Sequence, residues 1–299
     1  MINNRSRMWS LNCLAVLCVL MSCAPAAADT IVTFPDANLE AGVRNALGIS
    51  APTPITATAM LGLTSLSVPF TGITDLTGIQ YATNLDKLWL TGNNFADLGP
   101  LAALSNLTFL TIDFNPLATN LAPLSGLTRL RVLVASENGI SDITPLSGLT
   151  GLQALSLEVN LITDIGPLKD LPELQMLFLM QNRISDLPVF SAPALTSLNL
   201  RDNDIEDISS LVTSNLPSLF TLDIPHNPLG QDAYDIYIPQ LLASHPELHI
   251  AYDPAPEPGT CTLLGLGGLV LTIARRRGLV PRHVATPSTK YPHLGKECQ

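Results

Sequence analysis

Between Asp29 and Pro256 the chain has no cysteine: Cys13, Cys18 and Cys23 precede that stretch, and Cys261 and Cys298 follow it. The central body therefore holds no disulfide and no thiolate metal site, and packing alone must stabilise it. Basic residues are scarce too. The same stretch carries seven (Arg44, Lys87, Arg129, Arg131, Lys169, Arg183, Arg201) against 23 acidic ones, a formal charge of −16. A body this acidic repels phosphate backbones, which argues against nucleic acid as a partner. Only 5% of residues are aromatic and 13% charged, whereas 46% are hydrophobic, so a sizeable aliphatic core is expected and global disorder is not. Catalytic signatures are missing as well: there is no Gly-rich phosphate loop, no GxSxG elbow and no HExxH pair. His245 and His249 are four apart, but Pro246 interrupts any helix they would share, so they read as surface histidines near the end of the body. No enzyme, cofactor or metal centre is expected.

What the chain does have is self-similarity. Aligned on one asparagine, LDKLWLTGN (Leu85–Asn93), LTFLTIDFN (Leu107–Asn115), LRVLVASEN (Leu130–Asn138), LQALSLEVN (Leu152–Asn160), LQMLFLMQN (Leu174–Asn182), LTSLNLRDN (Leu195–Asn203) and LFTLDIPHN (Leu219–Asn227) repeat one pattern. The asparagines are 22, 23, 22, 22, 21 and 24 residues apart. An earlier copy, LTSLSVPFT (Leu63–Thr71), ends in threonine instead. The second half of each unit recurs too, as in Asp97-Leu98-Gly99-Pro100-Leu101, Asp142-Ile143-Thr144-Pro145-Leu146 and Asp164-Ile165-Gly166-Pro167-Leu168.

The residue choices have physical meaning. In LxxLxL the second and third leucines alternate with other residues, so both point inward from a short strand. Stacked units would pair these strands into a parallel sheet. The second-half leucine closes the core opposite it. An inward asparagine can both donate to and accept from backbone groups of adjacent turns. The Asp-Ile-x-Pro segment cannot continue a strand, because proline removes a ladder donor, and it suits a 3₁₀ turn or extended connection. Asp142, Asp164, Asp186 and Asp207 form a once-per-repeat column, open to turn capping or to a row of calcium ligands. Ala135 replaces a core leucine, which predicts a small cavity or shift. The unit after Asn182 is short and carries Leu187-Pro188-Val189-Phe190, and the next is long around Val212–Pro217, so both should alter the convex side.

These copies resemble the bacterial internalin-type, 22-residue leucine-rich repeat over roughly residues 33–252. The resemblance implies an α/β leucine-rich-repeat solenoid, a horseshoe with a parallel sheet on the concave face, short 3₁₀ or extended convex segments and a helical N-terminal cap. Phe34-Pro35-Asp36 ahead of Leu39, Val43 and Leu47 predicts a helix start, and Thr56 a second, shorter one. At the other end Asp232–Ser244 reads as a helix despite Pro239, and Leu248–Tyr252 as a closing strand. The units expected are a cap at 29–62, repeats at 63–230 and a second cap at 231–253.

The two ends read as addresses. Residues 1–28 resemble a secretory signal peptide, with Arg5 and Arg7, an apolar stretch from Leu11 to Met21 and Ala26-Ala27-Ala28 before the cut. Leu20-Met21-Ser22-Cys23 is a second, lipoprotein-like option. The Pro-rich linker at 254–260 holds Pro256, Glu257 and Pro258, and the segment 261–277 follows with a 12-residue apolar run from Leu263 to Ala274, then Arg275, Arg276 and Arg277; this order resembles a PEP-CTERM sorting signal. That likeness implies handling by an exosortase-type processing enzyme, a membrane-anchored stage, and an exported destination at the envelope, outer surface or extracellular matrix of a Gram-negative bacterium. Residues 278–299 form a tail of unknown role.

Family members of this kind bind partners on the concave sheet, so its outward positions are the candidate site. Lys87, Trp89, Phe109, Asp113, Glu158, Met176, Phe178, Met180, Asn199 and Arg201 are the partner-binding candidates. Trp89 with Phe109 form one apolar patch, and Met176, Phe178 and Met180 a second. The expected function is a displayed binding or adhesion module for an unknown protein or glycan, the alternative being a structural matrix component or glycan-binding protein with no discrete protein ligand.

Overall fold

The computed structural model describes residues 29–255. Residues 1–28, which resemble a signal peptide, the Pro256–Pro258 motif, Arg275–Arg277 and residues 278–299 all lie outside the described residues. Nine three-residue strands run in chain order: β1 (Ser65–Ser67), β2 (Lys87–Trp89), β3 (Phe109–Thr111), β4 (Val132–Val134), β5 (Ala154–Ser156), β6 (Met176–Phe178), β7 (Ser197–Asn199), β8 (Thr221–Asp223) and β9 (His249–Ala251). Each pairs in parallel with the next, in the order β1 to β9, so the sheet is open and grows strictly with sequence. The register aligns equivalent residues: Leu88 beside Leu110, Leu110 beside Leu133, Leu133 beside Leu155. β4 keeps this register on both sides although Ala135 stands where its neighbours carry leucine or isoleucine. The smaller side chain therefore produces no shift of the strand.

The inward leucines form one continuous core. Leu155, Leu157, Leu177 and Leu179 are fully buried, as are the second-half leucines Leu101, Leu124, Leu146 and Leu168 that close it from the convex side. Proline opens the convex 3₁₀ segments Gly99–Ala103, Ala122–Leu124, Thr144–Leu146 and Gly166–Leu168, at a position where a missing N–H costs nothing. Asp97, Asp142 and Asp164 cap three of these turns by accepting the backbone N–H two residues on, at 2.7–2.9 Å, Asn120 does the same for Ala122 N (3.0 Å), and Asp207 does so for Ser209 N (2.7 Å) in a later unit. Asp186 breaks the pattern because Pro188 stands at that position and has no N–H to give; it accepts from Ser185 Oγ instead. In that short unit Phe190 takes the core position, and the long unit after it forms a helical turn at Ser209–Thr213.

The repeat asparagines complete the architecture. Asn160 Nδ2 donates to the Leu157 carbonyl of its own strand end (2.9 Å) and to the Ala135 carbonyl of the preceding repeat (3.0 Å). Its Oδ1 accepts from Asn138 N (3.2 Å) and Ile140 N (2.9 Å). Every one of the seven asparagines bonds backward in this way, from Asn93 onto Val68 O to Asn227 onto Leu200 O. Thr71 stands where the first repeat lacks its asparagine, and the reason is now visible. No earlier strand carbonyl awaits it, and its hydroxyl reaches Val68 O of its own repeat (3.0 Å) and Asn93 Oδ1 of the next (3.1 Å).

Both ends are closed. Helix α1 (Ala37–Leu47) buries Leu39 and Val43, and a short α2 (Ala57–Met60) is capped by Thr56. Asp36 caps α1 with one carboxylate oxygen, at 2.9 and 3.0 Å from Asn38 N and Leu39 N. Its other oxygen accepts Thr74 N (2.8 Å) and Thr74 Oγ1 (3.1 Å), which fastens the cap to the first repeat. Burial opposes the Asp36 charge, yet these bonds outweigh it and hold the carboxyl below its ordinary pKa. At the far end the expected single helix is two pieces: a π-type turn at Ala233–Tyr237, then α3 (Ile238–Ser244). Pro239 supplies no backbone donor, so it sits in the first turn of a new helix and not within a continuing one.

Candidate functional site

On each strand the residues flanking the buried leucine face the opposite way, and pairing lines them up in rows. One row runs Lys87, Phe109, Val132, Ala154, Met176, Ser197, Thr221. The next runs Trp89, Thr111, Val134, Ser156, Phe178, Asn199, Asp223. Beyond the strand ends a third row follows, with Asp113, Ser136, Glu158, Met180 and Arg201. The two apolar patches expected from the sequence are joined: Val132, Val134 and Ala154 lie between them on β4 and β5. One apolar band thus crosses five strands, about 19 Å at ~4.8 Å per strand. Within it Trp89 and Phe109 pack with ring centroids 5.1 Å apart at 41°. Met176 is the most open member, at 40% exposure.

A polar strip borders the band. Thr91 Oγ1 donates to Asp113 Oδ1 (2.8 Å) and shares a hydrogen bond with Thr111 (3.0 Å), and Ser136 and Ser156 are bonded at 2.9 Å. Asp113, Glu158 and Asp223 are half-buried carboxylates. Burial raises the pKa of each, against the opposing pull of the Thr91 hydroxyl on Asp113, of Ser156 on Glu158 and of the Arg201 charge on Asp223. Of the two candidate cations, Lys87 is exposed on β2 whereas Arg201 is held by Asp202 at 3.2 Å. Asn199 departs from expectation. It is 7% exposed, and its Oδ1 accepts Arg201 N (3.1 Å), so it is covered by its neighbours and serves the backbone. The histidines also have structural partners: His245 Nε2 meets Leu216 O at 3.0 Å, and His249 stacks edge-on with Phe220. Among the described residues no three His, Cys, Asp or Glu side chains gather to hold a metal.

One feature escaped sequence reasoning. The residue before each repeat asparagine, and before Thr71 in the first copy, is left-handed: Phe70, Gly92, Phe114, Glu137, Val159, Gln181, Asp202 and His226 all have φ between 54° and 69°. Such values are unfavourable for non-glycine residues. The turn that drives the asparagine inward imposes them, and each N–H is fixed by the next repeat, as in Phe114 N to Ser136 O (3.0 Å) and Val159 N to Met180 O (2.9 Å). The last N–H, of His226, has no further repeat to meet and is taken by the Asp253 carboxylate. These residues form a rim along the concave wall on which Phe70 is 73% and Phe114 46% exposed. Gly92 is the only glycine of the column, and the Phe70 ring lies across it: a Cβ there would sit 2.2 Å from that ring. The varied side chains of this column give no composition signal; only their fixed place before the asparagine marks it.

This stacked geometry has solved counterparts. Internalin C2 (inlC2) from Listeria monocytogenes matches at 35% identity and a TM-score of 0.65, over 74% of this chain and 94% of that one. The chain belongs to the internalin-type leucine-rich-repeat family. A second Listeria monocytogenes internalin (inlF) matches at 32% identity and a TM-score of 0.68, over 76% of this chain. The present chain spans 66% of that structure's length. The leucine-rich-repeat family model matches residues 128–170 and 150–192. No curated protein matches the sequence.

Proposed function

We propose that this internalin-type chain is a displayed binding module whose concave band receives a partner protein. The observation that carries the proposal is the apolar band itself. A solenoid has every reason to bury Trp89, Phe109, Val134 and Phe178, yet the strands present them on the open face of the sheet. Large apolar groups gathered on an open surface mark interaction sites. The ends of the chain support display outside the cell: residues 1–28 resemble a signal peptide, and Pro256-Glu257-Pro258 with the apolar run and Arg275–Arg277 resembles a PEP-CTERM signal handled by an exosortase-type enzyme. The apolar run enters the bilayer and the arginines remain cytoplasmic until processing.

Two experiments test this. Saturable binding of the purified protein to the surface of its source cells should be lost in Trp89→Ala and Phe178→Ala variants that keep the wild-type circular dichroism; unchanged binding in both overturns the concave site. Mass spectrometry of the protein from its native cells reports the mature termini. An N-terminus at Asp29 and a C-terminus near the Pro-rich linker agree with export and sorting, whereas a full-length cytosolic species overturns them.

A further inference from the structure

We propose that the occupant of the concave band is a cationic, apolar polypeptide segment, one that sets lysine or arginine among large apolar side chains. The inference rests on the concave band being the binding face and adds the chemistry of what it binds. Asp113 and Glu158 lie in one row beside the band, two strands and therefore about 10 Å apart, with Ser136 between them. Both are half-buried, and neither takes part in any ion pair among the described residues. Thr91 and Ser156 give them neutral hydrogen-bond partners but no compensating charge. A desolvated carboxylate beside an apolar surface is unfavourable in the free protein and becomes favourable when a cation arrives with the ligand that excludes water. The wall's own cations do not pair with these two: Lys87 stands exposed at the β2 end and Arg201 already meets Asp202, and the whole body carries 23 acidic against seven basic residues. Long-range attraction and the local contacts therefore select the same sign of partner. The band also favours a polypeptide over a saccharide. Val132, Val134, Met176 and Met180 offer aliphatic and thioether surface that suits apolar side chains, and the Trp89 and Phe109 rings lean on each other at 41° and do not present one flat platform.

The test uses a random 12-residue peptide library panned against the immobilised full chain, and then the enriched synthetic peptides measured by fluorescence anisotropy. Enriched peptides should carry at least two lysines or arginines together with large apolar residues. The isosteric variants Asp113→Asn and Glu158→Gln should each weaken them roughly tenfold, and the double variant should flatten the dependence of binding on salt. Phe178→Ala should weaken them as well, and Glu158→Lys should abolish their selection. Enriched peptides without an excess of cations, still lost on Phe178→Ala, overturn this proposal while leaving the concave face as the binding site. Peptides indifferent to both Trp89→Ala and Phe178→Ala overturn the binding face itself. Retention of neutral oligosaccharides on a glycan array, lost in Trp89→Ala, also overturns the polypeptide assignment.

Discussion

Replacing Asn160 with alanine tests the asparagine ladder directly. The side chain is 5% exposed and satisfies two carbonyls, Ala135 O and Leu157 O, and two amides, Asn138 N and Ile140 N. Alanine would leave Ala135 O, Asn138 N and Ile140 N in the interior without a partner, whereas Leu157 O keeps the bond from Asn182 Nδ2 (3.0 Å). A buried group stripped of its hydrogen bond costs on the order of 1–3 kcal/mol, less where water enters the space left behind. Taking the lower end for each of the three, the loss is about 3 kcal/mol, comparable with a core truncation. Because each repeat touches only its neighbours, the break in the middle should also weaken coupling between the two halves. Urea unfolding followed by circular dichroism should show a lower midpoint, with a shallower or two-step transition. Thr71→Ala at the free end is the internal comparison: its single O–H is shared between Val68 O and Asn93 Oδ1, so the loss should stay at about 1 kcal/mol. An Asn160→Ala protein within about 1 kcal/mol of wild type, or equal losses at the two sites, would refute the ladder as the source of interior stability.

Further expectations follow from the caps, the rim and the wall. Asp36→Ala should cost about 1–2 kcal/mol by uncapping α1 and releasing it from Thr74, read from the thermal midpoint. The folded pKa of Asp36 is lowered, so its contribution is present above the unfolded carboxylate range and is lost as pH falls through the still lower folded value; the variant should therefore differ least from wild type in strong acid. The concave carboxylates have the opposite sign. Their folded pKa values are raised, so charge there destabilises the fold as pH rises through those values, and Asp113→Asn and Glu158→Gln should raise the melting temperature slightly at pH 7 and not at pH 4. Val159→Gly should stabilise by up to about 1 kcal/mol, since a β-branched residue at φ 54° is strained, whereas Gly92→Val should destabilise by adding strain and striking the Phe70 ring. Chemical denaturation of both variants checks the pair of signs.

Much of this architecture was legible in the linear chain. Leucines at fixed spacing announced which side chains face the core, the 22-residue period announced the stacking, and Pro100, Pro145 and Pro167 announced where strands must stop. These are local rules: alternation within a strand and the missing donor of proline act on neighbours in sequence. The failures were non-local. Alternation placed Asn199 on the concave face but not beneath the residues that cover it. Nothing in the composition of Phe114, Glu137 or Val159 signalled a left-handed backbone, because the conformation is imposed by the next asparagine and the next repeat. The local pattern of Asp232–Ser244 predicts one helix through Pro239, although the bonding begins anew around it.

The chain order therefore settled the period, the strand direction of every leucine and the excess of negative charge. Only folding decided that Trp89, Phe109, Val134 and Phe178 merge into one band, that Asp113 and Glu158 lie desolvated beside it, and that Asp36 reaches Thr74. The physical reason is distance: in a stacked solenoid the residues that touch are about 22 positions apart, so the burial and charge state of each depend on what the adjacent turn of the chain carries alongside it.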